Sequence, residues 1–197
     1  MNATVVYAHP DPESFGRAVL DRVVRGLERS GHDVTVLDLY GLDYPGAISP
    51  AEWQAYGTGS PIIDPTVAHH ARLVQSTDAL VFVYPTWWSS MPAIMKAWLE
   101  RTLVEGVAFA LEGPRNRLTP KLTGLRNVVG VTTYGSSWWY VKLVNDAGRR
   151  SVLRTVGLLS AGRARLSWHG LHSLDGQTAR RRERFLDDVE RAMGALR

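Results

Sequence analysis

The sequence contains no cysteine, and only three of its 23 basic residues are lysine. Without cysteine there are no disulfides, no thiolate metal sites and no cysteine nucleophile. The composition fits a cytoplasmic protein. Long apolar runs are also missing. The longest, Ala79 to Tyr84, falls far short of the ~20 residues needed to cross a bilayer. His9, Asp11 and Glu13 stand where a signal peptide needs an apolar run, so none is expected. No G-x-G-x-x-G follows the first strand, which reads His9-Pro10-Asp11-Pro12-Glu13-Ser14-Phe15-Gly16. There is no G-x-x-x-x-G-K-[ST] loop for a nucleoside triphosphate and no G-x-S-x-G elbow for an α/β-hydrolase. Adjacent His69 and His70 cannot face one metal from a helix, and His169 and His172 have no evident carboxylate partner, so no metal site is expected. No basic strand carries interleaved aromatics, and nucleic acid is not an expected partner.

What remains is an ordinary globular composition of 197 residues, 45% hydrophobic and 21% charged. It reads as one domain over residues 1–197. Net charge is +4 but unevenly spread: residues 1–114 hold 7 basic and 13 acidic side chains, net −6, and residues 115–197 hold 16 and 6, net +10. The basic part either attracts phosphates and acidic partners or is solvated surface.

Strand and helix patterns alternate. Thr4–Ala8 is a β-rich run. Val19, Leu20, Val23, Val24 and Leu27 then share a helical face, and Gly31 stops that helix. Val34–Leu37 is the second strand. Residues 41–67, with four glycines and four prolines, read as a long irregular connection of the kind often tied to function. Val67–Val74 is a short helix. Ala79–Tyr84, apolar throughout, is a central strand covered on both faces. Pro92 opens a helix with Ile94, Met95, Trp98, Leu99 and Thr102 inward. Asn127–Thr133 is the fourth strand. Residues 138–157 read as helix, weakened by Gly148. Arg163–Trp168 alternates like an edge strand. A last helix buries Phe185, Leu186, Val189 and Met193. Five strands in alternation with helices predict a doubly wound parallel sheet in the order 2-1-3-4-5.

In such sheets ligands bind beyond the carboxyl ends of the strands, which gathers residues 9–17, 85–91 and 134–140. Ser14-Phe15-Gly16 sits at a helix start, where free N–H groups and about half a positive charge favour an anion. Ser14 is either the helix cap or a hydroxyl donor to a phosphate, and His9 either orients the loop or touches a diphosphate. In Tyr84-Pro85-Thr86-Trp87-Trp88-Ser89-Ser90-Met91-Pro92, each tryptophan could bury roughly 150–250 Å², against a heteroaromatic ring, the core or another subunit. Thr132-Thr133-Tyr134-Gly135-Ser136-Ser137-Trp138-Trp139-Tyr140 offers hydroxyls and a glycine, as a pocket for partial negative charge or as a capped turn.

Together these loops resemble the flavin-dependent NAD(P)H:quinone oxidoreductases of DT-diaphorase type, within the flavodoxin-like fold. The specific string is Tyr84-Pro85-Thr86-Trp87-Trp88 with Met91-Pro92-Ala93-Ile94-Met95-Lys96-Ala97-Trp98-Leu99-Glu100-Arg101 and Gly106-Val107-Ala108-Phe109. His9…Ser14-Phe15, Asp38-Leu39-Tyr40 and Thr132-Thr133-Tyr134-Gly135 support it. The likeness covers residues 4 to about 140.

The resemblance implies a three-layer α/β/α sandwich and a homodimer holding FAD, with FMN the alternative. It implies NAD(P)H as co-substrate and a quinone-like flat acceptor, reduced by two electrons in a ping-pong cycle. His9, Ser14, Phe15 and Ala18 would hold the diphosphate and ribityl, with Gly16 replacing a common asparagine. Pro85, Thr86, Trp87 and Trp88 would line the ring system, Trp88 flooring the acceptor pocket. Thr132, Thr133, Tyr134 and Gly135 would surround the pyrimidine edge, and Tyr140 would stabilise the reduced flavin. Asp146 stands where the animal enzymes carry a catalytic histidine. Phe109 and Leu111 replace pocket tyrosines, and Met91 and Phe109 would come from the partner subunit. Read from the residues and not from the resemblance, residues 41–67, with Tyr44, Trp53 and Tyr56, are expected to roof and tune the pocket, and Arg149, Arg150 or Arg154 to favour a 2′-phosphate. A non-catalytic flavin-holding ancillary subunit of another system is the alternative reading, and turnover with menadione separates the two.

Overall fold

The apolar runs read as strands lie side by side. In the computed structural model, which describes residues 1–56 and 59–197, β1 (Asn2–Tyr7), β2 (Asp33–Asp38), β3 (Ala79–Pro85), β6 (Asn127–Thr133) and β7 (Arg165–Leu171) form one parallel sheet, with β4 (Phe109–Glu112) and β5 (Arg117–Pro120) apart from it. The order β2-β1-β3-β6-β7 is the flavodoxin-like arrangement. The register brings the strand ends level: Tyr7 pairs with Val83, Pro85 with Thr133 and Thr133 with Leu171.

Every residue of β3 and β6 is buried, as a strand covered on both faces requires. Alternation divides β3 between two cores. Leu80, Phe82 and Tyr84 pack with Met95, Trp98 and Val152. Ala79, Val81 and Val83 pack with Val19, Val23, Leu27 and Val189. The first core lies under α3 (Pro65–Ser76), α4 (Ala93–Thr102) and a π-helix (Ser151–Val156), the second under α1 (Phe15–Arg29) and α7 (Ala179–Gly194). Fully burying each such aliphatic side chain stabilises by about 1.5–3 kcal/mol. Arg22 of α1 joins α7 through Asp187 at 2.7 Å, Glu190 at 3.1 Å and Glu183.

Three sequence expectations need correction, and one element was not expected. Residues 41–67 are not wholly irregular, because α2 (Pro50–Tyr56) forms within them; Gly57 and Thr58 lie outside the described residues. Nor does this segment roof the strand ends. Tyr44 is buried, stacked on His70 at 5.3 Å and hydrogen-bonded to Thr102 at 3.2 Å. Tyr56 Oη donates to the Glu100 carbonyl at 3.5 Å. The segment therefore lies along α4. β4 and β5 make an antiparallel hairpin that the pattern did not show. Finally, residues 138–157 are not one helix. α5 (Trp138–Leu143) ends at a left-handed corner, Asn145 (φ 66°) and Asp146 (φ 34°), before α6 (Ala147–Arg150) and the π-helix.

Gly148 has another purpose than weakening a helix. A Cβ there would stand 2.9 Å from Tyr84 Oη and 3.3 Å from Met91 N, so glycine lets α6 press on the loop after β3. Gly130, inside β6, makes room in the same way: a Cβ would lie 2.0 Å from the Trp168 ring.

Candidate active site

The loops after β1, β3 and β6 meet at one end of the sheet, and each is built differently. After β1, Ser14 caps α1, its Oγ accepting from Arg17 N at 3.2 Å. The N–H groups of Phe15 and Gly16 make no hydrogen bond among the described residues, which leaves two donors at the positive end of a 15-residue helix. The Phe15 ring turns inward, 6.4 Å from Phe185, and Ala18 packs on the same core. His9 Nδ1 accepts from Asp11 N at 3.1 Å, and its ring lies 6.3 Å from that of Trp87. These residues therefore offer backbone amides and the His9 ring, with Ser14 already used as a cap.

After β3 the backbone is strained. Trp87 and Ser90 exchange both main-chain hydrogen bonds, at 2.9 and 3.0 Å, across Trp88 (φ 48°) and Ser89 (φ 56°). Two consecutive left-handed residues make a tight primed turn, and each non-glycine member costs about 1–2 kcal/mol. Strain of this kind gathers at functional sites. The turn stands the Trp88 side chain fully in solvent, at 101% exposure. Thr86 N donates to Thr133 O at 2.8 Å, and Thr86 Oγ1 lies 3.0 Å from Thr132 Oγ1.

After β6 the side chains turn in. Thr132 Oγ1 donates to Tyr84 O at 2.7 Å, and Thr132, Thr133 and Tyr134 are all buried. Tyr134 Oη donates to Asp146 Oδ2 at 2.6 Å and accepts from Trp168 Nε1 at 2.9 Å. The Tyr134 ring stacks on His172, 4.3 Å away with planes 5° apart. Burial, reinforced by the Asp146 carboxylate, pushes the Tyr134 hydroxyl far above the ordinary phenol range. Burial also pushes His172 down. The other Asp146 oxygen accepts from Arg149 N at 3.2 Å. Asp146 is thus committed to Tyr134 and the start of α6.

A cavity of 250 Å³ sits between the second and third loops. Of the residues expected from sequence, it brings together Thr86, Trp88, Tyr134, Gly135 and Tyr140. His9, Ser14, Phe15, Gly16, Ala18, Pro85, Trp87, Thr132 and Thr133 lie outside its wall. Within the second set, the His9 ring lies 6.3 Å from that of Trp87, the residue before Trp88. Met91 is buried in the core of its own chain, and Phe109, partly buried, packs against that core. Ser89, Ser136, Val141, Val144 and Asp146 complete the wall and were not foreseen as its lining. The donor set suits a flat ring carrying a phosphorylated tail: unpaired helix amides at one side and a slot between an exposed indole, Gly135 and a tyrosine at the other.

A family model described as Flavodoxin-like fold matches residues 1–160. Over 153 residues, 70% of this chain and 65% of the relative, the sequence is 33% identical to ribosyldihydronicotinamide dehydrogenase (quinone) of Pongo abelii. Over 113 residues, 57% of this chain and 55% of that protein, it is 34% identical to an uncharacterized NAD(P)H oxidoreductase of Haemophilus influenzae. The chain thus spans under two thirds of the length of these curated relatives. The structure of an NAD(P)H:quinone oxidoreductase from Methanothermobacter marburgensis is 26% identical, with a TM-score of 0.82 over 98% of this chain and 96% of that one. With its sheet order and the match over residues 1–160, the chain belongs to the family of the flavodoxin-like fold.

Proposed function

We propose that this protein is an NAD(P)H-dependent reductase that works through a bound flavin and passes two electrons to a quinone or a similar flat acceptor. The observation that carries the reading is the strained Trp88–Ser89 turn closing, with Gly135 and Tyr140, on one 250 Å³ cavity at the strand ends. The sequence likeness to quinone dehydrogenases supports it. FAD is the form that the sequence resemblance implies.

A bound flavin would supply the hydride chemistry between NAD(P)H and acceptor; the chain supplies position and donors. The amides of Phe15 and Gly16 hold the diphosphate, beside His9 and the Ser14 cap, and small Ala18 leaves space for the ribityl chain. The main chain of Pro85, Thr86, Trp87 and Trp88 lines the ring system. The main chain of Thr132, Thr133, Tyr134 and Gly135 borders its pyrimidine edge. Tyr140 Oη donates towards negative charge developing there, and the Trp88 indole floors the acceptor. Asp146, already accepting from Tyr134 and Arg149, does not press a bare carboxylate on that edge.

A second copy of the chain completes the pocket as a homodimer in the cytoplasm. Exposed Leu111, Leu118, Trp139 and Leu143 are the apolar surface available for it.

The test is a visible spectrum of purified protein, with chromatography of the released coenzyme to separate FAD from FMN. Anaerobic titration with NADPH and NADH should bleach the flavin, and menadione should restore its colour. Protein that stays colourless after soaking in flavins, or flavin that no dinucleotide bleaches, overturns the reading. Tyr140→Phe should lower kcat about 10²-fold with little change in flavin content. Sedimentation should report a dimer.

A further inference from the structure

Behind the first cavity lies a second, of 370 Å³. Its walls are α5, the left-handed corner at Asn145–Asp146, α6, the π-helix and two side chains from the β7 edge, Trp168 and His172. The Tyr134–Asp146 hydrogen bond is a partition between the two cavities, and Val141 lines both.

The lining has an unusual balance. Lys142, Arg149, Arg150 and Arg154 face one carboxylate, Asp146, whose two oxygens already accept from Tyr134 Oη and Arg149 N. The guanidinium groups of the three arginines make no ion pair among the described residues. Arginines on α1 and α4 are paired, as Arg17, Arg22, Arg29 and Arg101 are, whereas these three converge on a cavity that also carries the Trp138, Trp168 and His172 rings. Lys142 lies 4.9 Å above the Trp138 ring, which is 61% exposed. Aromatic faces and unpaired guanidinium forks around one hollow match a heteroaromatic base carrying phosphate. Independently, the backbone here is irregular. A left-handed pair, Asn145 and Asp146, runs through a single turn into six residues of π-helix, a rare element found disproportionately at functional sites.

We infer that this second cavity holds the phosphorylated adenosine end of a nicotinamide dinucleotide, gripped by Arg149, Arg150 and Arg154, while the nicotinamide reaches over the Tyr134–Asp146 partition into the first cavity. The inference rests on the reductase reading and adds to it the site of dinucleotide recognition. Two phosphates fit the chemistry: the diphosphate common to NADH and NADPH, and the 2′-phosphate of NADPH alone.

The direct probe is adenosine 2′,5′-diphosphate, which carries base and phosphates but no hydride. Calorimetry should show it binding the flavin-loaded protein and binding at least tenfold more weakly to the double variant Arg150→Ala/Arg154→Ala. No binding by the parent protein, or equal binding by both, overturns the inference. In turnover, the ratio of KM for NADPH to KM for N-methyl-dihydronicotinamide, a donor without phosphate, should rise at least tenfold in the variant. A larger rise with NADPH than with NADH assigns the grip to the 2′-phosphate, and equal rises assign it to the diphosphate; either supports the inference. An active reductase whose ratio does not move sinks this inference and leaves the reductase standing. Flavin that no donor bleaches, in protein that still binds the probe through these arginines, sinks the reductase instead.

Discussion

Ser89 and His70 show how single residues carry opposite kinds of information. Ser89 sits at φ 56° with a neighbour at φ 48°, where a side chain is a liability. Ser89→Gly should relieve the crowding and, after the larger backbone entropy of glycine in the unfolded chain, stabilise by about 0.5–1 kcal/mol. Urea denaturation measures this, and a loss of stability would mean that the turn is not strained. His70 is buried, its Nδ1 accepting from Trp98 Nε1 at 3.2 Å. Burial first, and the neighbouring His69 second, push it down to about 4. Unfolded, the group titrates near ~6.5, so between the two values the unfolded chain binds a proton that the native one refuses. Stability is therefore full above the upper value and drains away as pH falls towards the lower, by up to about 3 kcal/mol. His70→Asn keeps an acceptor for Trp98 and removes the titration, so its urea midpoint should change less between pH 7 and 5 than that of the parent protein.

Elements add what residues cannot. Arg101, in the helix that Pro92 opens, is a buried charge. Its Nε donates to Glu52 at 2.8 Å, its Nη1 to the Pro45 carbonyl at 2.7 Å, and its Nη2 reaches Asp64 at 3.3 Å. Burial works to raise the Glu52 carboxyl, but hydrogen bonds from Ser49 N–H and Arg101 hold it below its usual range. One guanidinium thus staples α2 and the start of α3 to α4. Arg101→Ala leaves Glu52 buried and unpaired and should cost about 3–5 kcal/mol, with amide exchange rising first across residues 45–56.

The parallel strands were legible because fully buried strands must be apolar without interruption, as Ala79–Tyr84 is. The β4–β5 hairpin was not, because its strands are four residues each and half exposed, too short for a period to register. The break after α5 was written in Asn145-Asp146, residues that tolerate left-handed backbone, and not in Gly148. At the site, the strand-end loops and their glycines could be read. The Tyr134–Asp146–Trp168 set could not, because it joins side chains distant in sequence. Its one local trace is Gly130, an isolated glycine in a strand, which marks a close neighbour.

At the scale of the whole molecule, the sheet gathers the indoles unevenly. Trp87, Trp88, Trp138, Trp139 and Trp168 belong to the strand-end loops, α5 and the second cavity, whereas Trp98 is buried in the core under α4. Near-ultraviolet emission from this chain is therefore dominated by groups within energy-transfer reach of anything yellow in the crevice. Adding flavin to stripped protein should quench most of the fluorescence and leave a remnant from buried Trp98 and from exposed Trp53 of α2, so the molecule comes with its own dosimeter of occupancy.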